Sequence, residues 1–152
     1  MTDSDRPGTR LAAIARALSI GGGTRHLLIC AEPRTARCCS AADGRRVWKY
    51  IKTRLKELGL CSAPPAWRGK DLPSVPDEPP GGGRVLRTKV DCLRVCERGP
   101  IVVVYPEGVW YHSVDEQLAE KIIQQHLIGG RPLSENVFAG PFFAPPDPGE
   151  NP

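Results

Sequence analysis

Short apolar runs separated by turn residues dominate the chain. His26-Leu-Leu-Ile29 leads into Cys30 and reads as a short buried strand. Val47, Trp48, Ile51, Leu55 and Leu58 recur at helical spacing, with Lys49, Lys52, Arg54 and Lys56 on other faces and Gly59 as a C-terminal stop. Residues 44–58 are therefore predicted to form an amphipathic helix with a basic side. Residues 85–90 alternate weakly and read as a second strand, followed by a loop over 92–100 that Gly99-Pro100 closes. Residues 101–105 and 109–114 read as two strands of a hairpin joined by Pro106-Glu107-Gly108. Ser113 and Glu116 have the spacing of a capping box, and Leu118, Ile122 and Ile123 then mark a second helix that stops at Gly129-Gly130. The order strand, helix, strand, hairpin, helix packs economically as a small mixed sheet with helices against it. This is an α/β architecture whose first strand-helix-strand unit is expected to be a right-handed parallel crossover.

Composition divides the chain further. Of its 152 residues, 16 are Gly and 16 are Pro, which excludes an all-helical bundle. Residues 62–83 hold six Pro and four Gly, too little apolar surface to fold, and are expected to form a disordered insert. Residues 140–152 hold five Pro and two Gly, and residues 1–23 end in three glycines, so both read as flexible tails. The expected arrangement is a tail over 1–23, one domain over 24–139 carrying the insert, and a tail over 140–152. The net charge of +4 is too mild to argue for nucleic acid, but residues 24–61 carry a net +6 while residues 84–139 balance. The longest apolar run, residues 101–105, is far below the roughly 18 residues of a membrane-spanning helix, so no membrane insertion is expected. The N-terminus places two acids ahead of its apolar stretch and interrupts that stretch with Arg16, a poor export signal. The expectation is a cytoplasmic protein whose cysteines are reduced or metal-bound.

Cys30 with Cys38-Cys39 forms one cysteine group and Cys92 with Cys96 another, each following a predicted strand. Parallel strands put their following loops on one edge, so the two groups can converge and supply four thiolates. That is the number a tetrahedral metal or a [2Fe-2S] cluster requires. The spacing C-x3-C disfavours a zinc ribbon, and a C-x-x-C redox motif is absent. Spacing alone leaves an iron-sulfur cluster, zinc and inert buried cysteines all open.

The stretch Asp91-Cys-Leu-Arg-Val-Cys-Glu-Arg-Gly-Pro-Ile-Val-Val-Val-Tyr-Pro-Glu-Gly-Val-Trp-Tyr111, with His126-Leu-Ile-Gly-Gly130 downstream, resembles the thioredoxin-like [2Fe-2S] ferredoxin family. Cys30 after His-Leu-Leu-Ile and Cys39 shortly before Gly44-Arg-Arg-Val-Trp48 extend the likeness. The resemblance covers the predicted folded residues and neither the tails nor the insert. It implies a thioredoxin-like fold and a [2Fe-2S] cluster held by Cys30, Cys39, Cys92 and Cys96, with Cys38 as the alternative to Cys39. It further implies a one-electron carrier rather than an enzyme, serving a redox partner protein, with homodimers known among such relatives. Arg34, Arg37, Arg94 and Arg98 lie beside the ligands in sequence and would attract an acidic docking face on that partner. Apolar area around Trp110 and Tyr111 is the expected dimer contact.

The competing class is an interaction or sensory module in which an iron-sulfur cluster or zinc only stabilises a docking surface. Cys61 has no partner at metal spacing and reads as a plain cysteine. His26, His112 and His126 lie off the cysteine-bearing loops and read as structural or solvent-facing. Gly21-Gly22-Gly23 precedes a strand and lacks the lysine of a phosphate loop, so no nucleotide site is expected.

Overall fold

A computed structural model describes residues 6–17, 25–31, 39–60, 84–95 and 97–141. The insert over 62–83, most of the C-terminal tail, and Cys38, Cys61 and Cys96 lie outside the described residues. The elements in chain order are helix α1 (Pro7–Ala17), strand β1 (Arg25–Cys30), helix α2 (Ala41–Glu57), and strands β2 (Val85–Val90), β3 (Val102–Tyr105) and β4 (Val109–Tyr111). Helix α3 (Glu116–Lys121) continues as a π-helical segment (Ile122–Ile128), and strand β5 (Val137–Ala139) follows. The chain divides into two compact units, Met1–Arg25 with Thr53–Leu86 and His26–Lys52 with Arg87–Pro152. In the first, Leu55, Leu60 and Val85 are buried, and Val85 N donates to Leu60 O at 3.1 Å. The second unit contains Cys30, Cys39 and Cys92.

The sheet has the order β2-β1-β3-β4-β5. β1 pairs antiparallel with β3, setting Ile29 against Val102 and Leu27 against Val104. β3 in turn pairs antiparallel with β4, with Val102 opposite Tyr111. At the other edge, Arg25 N donates to Arg84 O at 3.4 Å and Ala31 N to Val90 O at 3.2 Å. Both strands advance by the same number of residues between these bonds, so β1 and β2 run parallel, as the strand-helix-strand order predicts. The sheet is therefore mixed. Ile101 and Val102–Val104 are all buried because β3 is the central strand and both of its faces are covered. This explains the uninterrupted apolar run. The turn to β4 needs Gly108, whose φ of 67° is strained for any side chain, and Gly108 N donates to Val104 O at 2.8 Å.

The structure departs from the sequence pattern at several element ends. Helix α2 begins about a turn earlier than expected because Ser40 caps it: Ser40 Oγ accepts from Asp43 N and its carbonyl accepts from Gly44 N, both at 3.1 Å. The cap of α3 is Asp115, not Ser113, and its carboxylate accepts from Leu118 N at 2.7 Å. Ser113 instead takes φ 52° in the turn that ends β4 at Tyr111, so the strand stops short of Val114. The end of the second helix widens, with Gly129 N donating to Gln124 O at 3.1 Å, five residues back. Two elements carried no sequence signal. Helix α1 occupies a stretch read as tail, starting at Pro7, where a missing N–H costs nothing. β5 is only three residues long and pairs with β4 through a register shift.

Candidate metal centre

Three of the expected ligands fall at ends of elements in the same unit. Cys30 is the last residue of β1 and is 1% exposed. Its backbone N donates to Ile101 O at 3.2 Å, and Ile101 N returns a hydrogen bond to Cys30 Sγ at 3.1 Å. Cys92 follows β2, is exposed, and its Sγ accepts from Arg94 N at 3.1 Å, a bond that the left-handed conformation of Arg94 (φ 67°) allows. The Ala31–Val90 hydrogen bond ties the exits of β1 and β2 together, so Cys30 at the end of β1 and Cys92 just beyond β2 lie at the same end of the two strands. Cys39 is half-buried and stands directly before the Ser40 cap of α2. None of Cys30, Cys39 and Cys92 is in a disulfide.

Among the described residues, no three His, Cys, Asp or Glu side chains gather around one point. The fourth expected ligand, Cys96, and the alternative, Cys38, lie outside those residues. The donor set nevertheless suits thiolate ligation. The sulfurs of Cys30 and Cys92 each accept a backbone N–H at 3.1 Å, and such bonds stabilise negative charge on sulfur. The amide of Ile101 was missed by the sequence reading because no motif marks a backbone donor 71 residues away. Arg94 and Arg98 are both exposed with positive φ, at 67° and 52°.

The histidines lie elsewhere. His126 is completely buried, its Nδ1 lies 2.8 Å from Tyr111 Oη, and its Nε2 lies 3.3 Å from Glu107 Oε1. Tyr111 also accepts from Leu133 N at 3.0 Å. Its complete burial removes it from the expected dimer contact. Trp110 is half-buried and meets Phe138 edge-on, with centroids 6.2 Å apart.

No protein-family model matches the chain. It is 27% identical to a Priestia megaterium protein provisionally named a 2Fe-2S ferredoxin, over 78% of this chain and 73% of that one. It is 42% identical to a 2Fe-2S ferredoxin of Aquifex aeolicus over 34% of this chain, and 46% identical to one of Clostridium pasteurianum over 30%. Those two matches span 47% and 45% of the relatives' own lengths, about half of each. A solved thioredoxin-like [2Fe-2S] ferredoxin from Aquifex aeolicus superposes with a TM-score of 0.54 at 24% identity, covering 85% of this chain and 99% of that one. The wild-type structure at 1.5 Å gives 0.52 at 26% identity, covering 77% and 98%. The chain is similar in sequence to 2Fe-2S ferredoxins and has the fold of the thioredoxin-like [2Fe-2S] ferredoxins. That fold is a mixed sheet with packed helices, as the sequence predicts. No helix among its described residues is long and apolar enough to cross a membrane.

Proposed function

We propose that the protein is a one-electron carrier with a [2Fe-2S] cluster held by Cys30, Cys39, Cys92 and Cys96. The observation that carries this reading is the pair of amide-to-sulfur hydrogen bonds at Cys30 and Cys92, which lie at the same end of β1 and β2. When bound, the cluster supplies a site that gains and loses one electron with little change in coordination. The chain's own part is to hold the sulfurs still. Cys30 is fixed by a two-way bond to Ile101 at the start of the central strand, and Cys92 by the backbone of Arg94. Rigid anchoring keeps reorganisation small, and amide donors together with differing exposure tune the potential. Thiolate ligands suit a reducing, cytoplasmic setting. Electrons pass to and from a partner protein, and the chain needs no substrate turnover of its own. Self-association belongs to this reading as well, with the half-buried Trp110 left from the expected contact once Tyr111 is buried.

Purification without oxygen, followed by visible spectra before and after dithionite, tests the reading. Broad bands that bleach on reduction and return in air are expected. A colourless, zinc-containing protein after cluster reconstitution would overturn it in favour of a metal-stabilised interaction module. Replacing Cys30, Cys39, Cys92 or Cys96 singly with Ser should shift or abolish the bands, whereas Cys38→Ser should leave them intact. Bands lost in Cys38→Ser and kept in Cys39→Ser would exchange the two residues' roles.

A further inference from the structure

Helix α2 sorts its charges. On one flank, Arg46 pairs with Asp43 at 2.7 Å and with Glu116 of α3 at 3.2 Å, and Tyr50 Oη donates to Glu120 of α3 at 2.8 Å. The nearby carboxylates of α3 are thus engaged on that side. Arg45, Lys49 and Lys52 lie on another face. At 3.6 residues per turn they fall within an arc of about 60°, and all three are exposed. None of them makes an ion pair among the described residues. Trp48 borders this stripe and is 8% exposed, covered by the Lys52 ammonium 5.8 Å and the Arg87 guanidinium 5.2 Å from its ring centroid. Arg87 likewise has no carboxylate partner among the described residues. Two of these four cations lie over the Trp48 ring, the other two flank it on α2, and none of the four has an ion-pair partner among the described residues.

We propose that Arg45, Lys49, Lys52 and Arg87, grouped around Trp48, form the surface on which an acidic, one-electron-accepting protein docks. The proposal deepens the electron-carrier reading and rests on it. Charge complementarity carries it: three exposed cations and the half-buried Arg87, none with an ion-pair partner among the described residues, steer an oppositely charged face and fix its orientation. Position supports it too, since α2 starts two residues after Cys39 and Arg45 lies in its second turn. Nucleic acid fits less well, because strand binding uses open aromatic faces for base stacking and Trp48 is already covered by two cations.

The full chain with its cluster, reduced by dithionite and freed of excess, is mixed by stopped flow with two haem proteins. One is a cytochrome b5 with an acidic haem rim, the other a cytochrome c with a basic one. In each reaction one electron leaves the carrier, which becomes oxidised, and reduces haem iron from ferric to ferrous, with no bond or proton transferred. Transfer to the acidic cytochrome is expected to slow about tenfold between about 10 and about 200 mM salt. The variant Arg45→Glu/Lys49→Glu/Lys52→Glu should lose about tenfold with that acceptor at low salt and gain with the basic one. Its visible bands and potential should match those of the parent. Single neutral changes, Arg45→Gln and Lys49→Gln, should each cost about two- to threefold and replace the triple variant if it misfolds. Arg131→Glu, an exposed change elsewhere, should have no effect. Equal rates for parent and variants with intact bands would overturn the proposal. So would salt-sensitive binding of a labelled duplex DNA that the acidic cytochrome fails to displace. Absence of the bands in the parent would instead overturn the electron-carrier reading, and this proposal with it.

Discussion

Two single side chains fix parts of the molecule that lie far apart in sequence. Tyr111 Oη accepts from Leu133 N and lies within hydrogen-bonding distance of His126 Nδ1, all in the interior. Burial pushes its phenol above the usual 10.0, and the charge of Glu107 adds to this while the Leu133 bond opposes it. The hydroxyl therefore stays protonated well into alkaline solution. Tyr111→Phe removes the acceptor of a buried N–H and should cost about 1–3 kcal/mol, read as a lower urea midpoint. A midpoint unchanged from the parent would show that the bond is dispensable. His26 offers a pH test. Its Nε2 lies 2.7 Å from Thr88 Oγ1, and burial holds its pKa below the ordinary 6.5. The unfolded chain then takes up the proton more readily than the folded one. The stability linked to this ring is present above about pH 6.5 and is lost as pH falls through the folded value. The decline in urea midpoint from pH 7 to pH 5 should therefore be shallower in His26→Gln. An equally steep decline in the variant would place the acid sensitivity elsewhere.

Among the elements, helix α2 and the hairpin strands were legible, whereas α1 and β5 were not. Helix α2 shows its apolar stripe because Val47, Trp48, Ile51 and Leu55 are buried, and β3 shows itself as an apolar run because both of its faces are covered. Caps are harder to read, since several polar residues compete near each helix start. Ser113 and Asp115 both precede α3, and only the backbone decides: Asp115 has the extended conformation of a cap, with φ −105° and ψ −174°, while Ser113 sits in a left-handed turn. Asp115→Ala should cost about 1 kcal/mol by chemical denaturation, and Ser113→Ala clearly less. The reverse order would restore the capping box. Strand β5 left no mark because three residues cannot display a period, and it forms only where β4 offers free backbone groups.

At the scale of the whole molecule, stability and cofactor should be linked if Cys30, Cys39, Cys92 and Cys96 hold the proposed cluster, because residues so far apart in sequence can share a cluster only in the folded chain. Removing the metal by acid and chelator should lower the thermal midpoint by about 5 °C or more. An unchanged midpoint would mean that the folded chain holds those loops in place without the cluster. The sequence by itself determined the two cysteine groups, the parallel crossover, the hairpin and the basic face of α2. Each of these is written in local periodicity, turn chemistry or spacing, which depend on near neighbours in the chain. Tertiary structure decided what depends on distant ones. It set the Ile101 amide on Cys30, buried Tyr111 against His126, and paired Arg46 and Tyr50 with the carboxylates of α3. That last choice left Arg45, Lys49 and Lys52 without an ion pair among the described residues. A row of lysines and arginines in sequence carries no such division, because which charges are neutralised depends on the elements that fold against them.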